Sequence, residues 1–141
     1  MNTAPTARAG RLRPVIRLVL AVAMVAVGIA HFASPKPFVR IVPAWLPAPL
    51  ALVYVSGFFE ILGGLGLLVP RVRRAASFGL VALYIAVFPA NVNMALNQST
   101  IEGAAQIPPA LLWARLPLQA VLIALALWVG KQDASPNQPR G

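Results

Sequence analysis

The sequence predicts an all-α protein built as a bundle of four transmembrane helices. Of its 141 residues, 59% are hydrophobic and only 11% are charged, which is too little charge to cover the surface of a soluble domain. Four apolar stretches occur along the chain, and each is long enough to cross the roughly 30 Å hydrocarbon core of a bilayer as a helix. Basic residues flank these stretches at alternate ends, as is typical of membrane insertion.

The first apolar stretch, 14–33, follows a basic leader, so a cleaved signal peptide is the alternative to a transmembrane helix. The apolar run continues into residues 31–33 (His-Phe-Ala), which do not form a small-residue cleavage site, and three more spans follow. We therefore predict that the first helix is retained. The later spans are predicted at 50–69, 75–96 and 109–130.

The distribution of Lys and Arg orients the predicted bundle. The loop at 34–49 contains Lys36 and Arg40, and the loop at 97–108 contains no basic residue. Because basic residues favour the cytoplasmic side, both termini are predicted to be cytoplasmic. The basic side carries Arg8, Arg11, Arg13, Arg17, Arg71, Arg73, Arg74, Lys131 and Arg140.

The chain is predicted to contain one folded domain, the transmembrane bundle at 11–131. The flanking segments 1–10 and 132–141 are rich in Pro, Ala, Ser, Asn and Gln. Such segments bury little apolar surface, so they are predicted to be disordered tails.

The first outer loop, 34–49, contains five prolines and alternates apolar with basic residues. It predicts a short amphipathic helix starting near Pro35, with Ser34 as its N-cap, lying on the membrane interface. Trp45 would anchor this segment at the interface. A stiff connector and a lid over an outward-facing pocket are the alternatives.

Glu60 lies near the middle of the second span, which contains no other charge. A carboxylate at that depth costs at least about 2–3 kcal/mol on insertion scales, so it is expected to face a partner, a cavity or a ligand. Ser56 lies one turn earlier on the same face. Gly57 and Gly64 leave that face little bulk, which predicts close approach of a neighbouring helix. The simpler alternative is a packed helix in which Glu60 makes one structural hydrogen bond.

Polar residues of all four spans fall at similar depth in the predicted topology, in the outer part of the bundle. This sorting favours one shared buried network, with Arg115 or His31 as the partner of Glu60. Individually, each residue also has a structural explanation, such as capping a helix end or reaching the interface. The predicted site residues are His31, Ser56, Glu60, Asn91, Asn93, Arg115 and Gln119.

Several short motifs together resemble the DoxX family of small bacterial membrane proteins. They are Gly28-Ile-Ala-His31-Phe32, Tyr54-Val-Ser56-Gly57-Phe-Phe-Glu60, Phe88-Pro89-Ala90-Asn91-x-Asn93 and Arg115-Leu-Pro117-Leu-Gln119. The resemblance covers about residues 28–127 and implies a four-helix bundle in the bacterial cytoplasmic membrane. It also implies an association with quinone-linked redox systems for some members, although a fold-level likeness does not fix chemistry.

These observations predict a binding or accessory protein of a membrane redox system. It would hold a quinone, another lipophilic molecule or a partner subunit at its outward-facing polar layer, in contact with the bilayer. The alternatives are a stand-alone quinone-linked oxidoreductase, a small proton-coupled transporter or a structural assembly factor. A membrane or periplasmic redox partner protein and a homo-oligomer are the expected kinds of assembly.

Composition excludes several other classes of function. The chain has no cysteine, one histidine and three acidic residues, so we expect no thiol redox chemistry and no metal site. The net charge of +9 lies around membrane spans rather than on a folded basic surface, so we expect no nucleic-acid binding.

Overall fold

A computed structural model describes the backbone of residues 4–131 and the side chains of residues 12–131. All regular structure in this part of the chain is helical. A 3₁₀ turn at Ala104–Gln106 interrupts the last loop. The α-helices are α1 (Ala4–Ala33), α2 (Lys36–Ile41), α3 (Pro49–Leu68), α4 (Arg73–Leu96) and α5 (Pro109–Val129).

Four of the five helices are long and apolar enough to span a membrane, which confirms the predicted all-α fold of a multi-pass membrane protein. The spanning segments agree with the predicted ones to within two residues at each end and are Leu12–Ala33, Pro49–Leu68, Arg73–Leu96 and Pro109–Val129.

The structure describes most of the predicted N-terminal tail but none of the predicted C-terminal tail. Helix α1 begins at Ala4, within the segment predicted as an N-terminal tail. Residues 1–3 and the predicted C-terminal tail at 132–141 lie outside the described residues.

The four long helices pack in the order α1, α3, α4 and α5, and α5 returns to α1 through a sparser contact. The closest approach is between α1 and α3, as the glycines predicted. A Cβ atom at Gly28 would lie 2.7 Å from the Gly57 carbonyl oxygen, and one at Gly64 would lie 2.8 Å from the Ala21 carbonyl oxygen. Only residues without a side chain permit the two backbones to meet there.

Large apolar side chains cover the outside of the bundle. On α3 alone, Val55, Phe58, Leu62 and Leu65 are each more than half exposed. In water a continuous apolar surface of this kind would drive association. In a bilayer it faces acyl chains, which solvate it.

Helix α2 contacts α3 and α4 and confirms the predicted short helix within the segment 34–49. Its N-cap is Pro35 and no side chain caps it, so the prediction of Ser34 as the cap is wrong. Proline is tolerated in the first turn of α2, because the backbone N–H groups of that turn have no intrahelical partner to lose. Trp45, the predicted interface anchor, is 72% exposed.

Candidate functional site

The centre of the candidate site is a contact between α1 and α3 that joins an imidazole to a carboxylate. His31 Nδ1 lies 3.1 Å from Glu60 Oε2. Both residues are buried, with His31 7% and Glu60 9% exposed. Of the two partners predicted for Glu60, the structure therefore pairs it with His31.

The hydrogen bonding of this pair is incomplete. His31 Nδ1 is also 2.8 Å from the carbonyl oxygen of Val27, one turn earlier on α1. Glu60 Oε2 is within ion-pair distance but has no hydrogen-bond partner of good geometry among the described residues. When Nδ1 carries a proton, its N–H has better hydrogen-bond geometry toward the Val27 carbonyl than toward the carboxylate.

The position of one proton decides which of these contacts is a hydrogen bond. With the proton on Nδ1, the imidazole donates to the Val27 carbonyl and Glu60 Oε2 lacks a donor. With the proton on Glu60, the carboxyl group donates to Nδ1 and the Val27 carbonyl loses its bond. The pair can thus hold a proton in two places at one site. A group that can donate to Glu60 Oε2 would complete the first arrangement.

Two neighbours fix the imidazole in this position. Gly57 packs against the base of the side chain, since a Cβ at that position would be 2.6 Å from His31 Cβ. Phe38 of α2 stacks on the ring, with ring centroids 3.8 Å apart and planes inclined by 23°. Helix α2 therefore covers the pair.

A second polar cluster joins α4 to α5. Asn91 Nδ2 donates to Gln119 Oε1 at 2.8 Å. The Gln119 amide in turn donates to the backbone carbonyl of Tyr84. Gln119 is buried, and both the nitrogen and the oxygen of its side-chain amide form hydrogen bonds. This cluster is a chain of neutral hydrogen bonds of the kind that holds membrane helices together.

Tyr84 of α4 was not among the predicted site residues. Its hydroxyl group donates to Met24 Sδ of α1 at 3.1 Å, and its backbone carbonyl accepts from Gln119 of α5. A buried tyrosine hydroxyl in mid-span needs a partner, so the sequence contained a signal for this residue. Within the span 75–96, the prediction included only the amide side chains of Asn91 and Asn93.

Among the described residues, the other three predicted site residues bond to groups outside both clusters. Ser56 Oγ donates to the Val53 carbonyl of its own helix at 2.9 Å. Asn93 Nδ2 donates to the Ile41 carbonyl at 2.9 Å and so holds α2 against α4. Arg115 Nη1 lies 3.3 Å from Met94 Sδ. The structure thus divides the predicted single layer into two clusters and three residues with separate partners.

Two buried arginines lie at the opposite end of the bundle. The sequence predicted them only as part of the basic side that orients the bundle in the membrane. Arg17 Nε donates to the Val129 carbonyl at 2.9 Å, at the end of α5. Arg73 Nε donates to the Leu67 carbonyl at 3.0 Å, at the end of α3. Both side chains satisfy carbonyls that a helix C-terminus leaves without partners, and their charge complements the helix dipole. Arg73 lies only six residues after Leu67 in the chain, which could have indicated its role, whereas Arg17 is 112 residues from Val129.

The fold and the site together define a class: a four-helix membrane protein with a buried carboxylate–imidazole pair on one side of mid-span and arginine-capped helix ends on the other. The model of the family "Domain of unknown function (DUF8561)" matches residues 20–130. The chain belongs to this family. Comparison with curated proteins gives no match, and comparison with solved structures gives none either.

Proposed function

We propose that the protein is a binding or accessory component of a redox system in the bacterial cytoplasmic membrane, and that it holds a lipophilic small molecule at the His31–Glu60 pair. The observation that carries the proposal is the buried oxygen Oε2 of Glu60, which lies beside an imidazole but lacks a hydrogen-bond donor. Leaving such a group unsatisfied costs about 1–3 kcal/mol or more. A bound ligand that donates a hydrogen bond would recover that cost.

A quinone in its reduced form fits this requirement, since a hydroquinone carries hydroxyl donors. The hydroxyl group of a hydroquinone can donate to Glu60 Oε2, and a ring nitrogen of His31 can donate to the carbonyl oxygen of the oxidised form. The isoprenoid tail of such a molecule would lie along the apolar outer surface of the helices. The location of the proton on His31 or on Glu60 would change which of the two donates to the ligand.

Access to the pair would require movement of α2. Phe38 stacks on His31, and the two cavities described in the bundle are lined by other residues. We therefore assign α2 the role of a lid, the third of the three predicted roles for this segment. The resemblance to DoxX proteins supports the same kind of ligand and the expectation of a membrane or periplasmic redox partner.

A soluble quinone analogue tests the proposal. A ligand that binds only the folded state should raise the melting temperature of the purified protein in mild detergent. We expect His31→Ala and Glu60→Gln to remove most of this shift. Ser56→Ala is the matched control on α3, since its hydroxyl group bonds only to its own helix, and it should keep the shift. If no quinone shifts the wild-type melting temperature well above micromolar concentration, the role as an assembly factor becomes the better explanation.

The proposal places the His31–Glu60 pair on the outer side of the membrane, because the basic residues orient both termini inward. A reporter enzyme that works only outside the cytoplasm should be inactive when fused after residue 141 and active when inserted within 97–108. The opposite pattern would place the lid and the pair on the cytoplasmic side, so that ligand access would be from there.

A further inference from the structure

A cavity of about 440 Å³ lies between the beginning of α4 and the end of α5, at the basic end of the bundle, and neither His31 nor Glu60 lines it. We call it the basic-end cavity. Its volume falls within the range of about 300–1,000 Å³ that is usual for small-molecule sites. It is lined by Arg74, Ser77, Phe78, Leu127, Gly130 and Lys131.

The charge of this cavity has no counterpart in the described part of the chain. Arg74 and Lys131 line it and are exposed. Of the three acidic residues in the chain, Glu60 pairs with His31 and Glu102 pairs with Arg40 in the outer loops. The third, Asp133, lies outside the described residues. The cavity is therefore complementary to an anion.

The walls of the cavity are apolar and face the surrounding lipid. Phe78 is 53% exposed and Leu127 is 39% exposed, and the Arg74 guanidinium lies 5.8 Å from the centre of the Phe78 ring. Since α4 begins at Arg73 and α5 ends at Val129, the cavity lies at the ends of two membrane spans. An occupant there meets charge at one end and acyl chains at the other.

The floor of the cavity is closed by a satisfied contact. Ser77 Oγ donates to the Ala126 carbonyl at 2.7 Å and is 2% exposed. Gly130 packs against Ser77 so closely that a Cβ would lie 2.3 Å from it. The hydroxyl group is thus already used, and the two basic side chains remain as the groups that would recognise a ligand.

We propose that the basic-end cavity binds an anionic phospholipid, with the headgroup phosphate between Arg74 and Lys131 and an acyl chain along Phe78 and Leu127. Arginine and lysine are the usual phosphate ligands, and basic pockets between membrane helices are suited to lipid headgroups. A soluble anion would use the two charges but would gain nothing from the apolar walls. The site is separate from the His31–Glu60 pair and does not depend on its function.

Native mass spectrometry of the full chain in mild detergent, titrated with phosphatidylglycerol or phosphatidylcholine, tests this site. We expect the wild type to prefer phosphatidylglycerol. The double variant Arg74→Gln with Lys131→Gln should bind it about 30-fold more weakly, at about fivefold for each basic residue lost. The matched control Arg71→Gln removes the same charge from an exposed residue that does not line the cavity, and it should change the affinity by less than about twofold.

A further variant separates a lipid from a free phosphate ion. Phe78→Ala should weaken phosphatidylglycerol binding while binding of inorganic phosphate stays unchanged. Equal affinity for the two lipids, equal loss in the double variant and in the Arg71 control, or an equal effect of Phe78→Ala on the binding of phosphatidylglycerol and of inorganic phosphate would each overturn the proposal. Melting temperatures close to the wild-type value for all these surface variants verify that the bundle remains folded.

Discussion

The two ends of the bundle bury ionisable groups in different ways. At the basic end, Arg17 and Arg73 donate to backbone carbonyls at the ends of neighbouring helices. Toward the other end, Glu60 meets His31 and keeps an oxygen without a hydrogen-bond donor. The first arrangement completes the helices and needs nothing more. The second leaves an unsatisfied atom, which is the feature expected of a group retained for chemistry or binding.

The largest expected effect tests the pair directly. Glu60→Gln should lower the free energy of unfolding by about 3–5 kcal/mol, the usual cost of breaking a buried ion pair in soluble proteins. Unfolding of the detergent-solubilised protein with increasing denaturant measures this change.

The second substitution added to Glu60→Gln identifies the partner. His31→Gln should restore part of the lost stability, because no buried titratable group then remains uncompensated. Arg115→Gln should restore none, since Arg115 contacts Met94. If Glu60→Gln leaves both stability and quinone binding unchanged, the carboxylate is a structural hydrogen-bonding group, and the contrast between the two ends disappears.

The next largest effect concerns the basic end. Arg17→Gln should destabilise the bundle by about 1.5–3 kcal/mol, as expected for lost hydrogen bonds from a charged donor, because the carbonyl of Val129 loses its partner. Arg74→Gln is the control, since Arg74 is exposed, and it should change stability by less than about 0.5 kcal/mol. Both should leave the quinone-induced shift intact. A loss of that shift in Arg17→Gln would show that the two ends are coupled.

A smaller effect is expected for the neutral cluster between α4 and α5. Gln119→Leu removes the bonds to Asn91 and to the Tyr84 carbonyl. Hydrogen bonds between membrane helices average about 0.6 kcal/mol and reach about 1.7 kcal/mol, so the same unfolding assay should show a loss in that range. Asn91→Leu should lose less, because it removes one bond. A loss as large as that of Glu60→Gln would place the functional centre at Gln119 instead.

The smallest effect is expected for Ser56→Ala, a residue predicted to belong to the site. Its hydroxyl group donates to Val53 within the same helix turn, a bond that contributes little to helix stability. The unfolding free energy should stay within about 0.5 kcal/mol of the wild type. A loss above about 1 kcal/mol would indicate that Ser56 has a role in the pair's surroundings.

The sequence predicted the bundle well because the signals for a membrane fold are local. Span length, apolar content and Lys/Arg placement are each read within a window of about 20 residues. The glycine contacts between α1 and α3 were also predictable, since Gly57 and Gly64 lie on the face that carries Glu60.

The site was predicted less completely because its contacts depend on how helices rotate against each other. From their predicted depth in the membrane, Arg115 and His31 were equally suitable partners for Glu60. Only the packing of the helices brings His31 Nδ1 within 3.1 Å of Glu60 Oε2. The contacts of Tyr84 also depend on packing, since its hydroxyl group bonds to α1 and its carbonyl to α5. The capping by Arg17 requires α1 and the end of α5 to meet, over a separation of 112 residues in the chain.

The polar contacts of α2 would make the proposed lid sensitive to salt. Arg40 Nη2 lies 2.9 Å from Glu102 Oε2, and both side chains are solvent-accessible. Dissolved ions screen this contact over a Debye length of about 8 Å at physiological ionic strength and about 3 Å at 1 M. The bond from Asn93 to the Ile41 carbonyl joins neutral groups and lacks this dependence. If α2 acts as the proposed lid, ionic strength on the side of the membrane that it faces would set how firmly the contact between Arg40 and Glu102 holds it over His31.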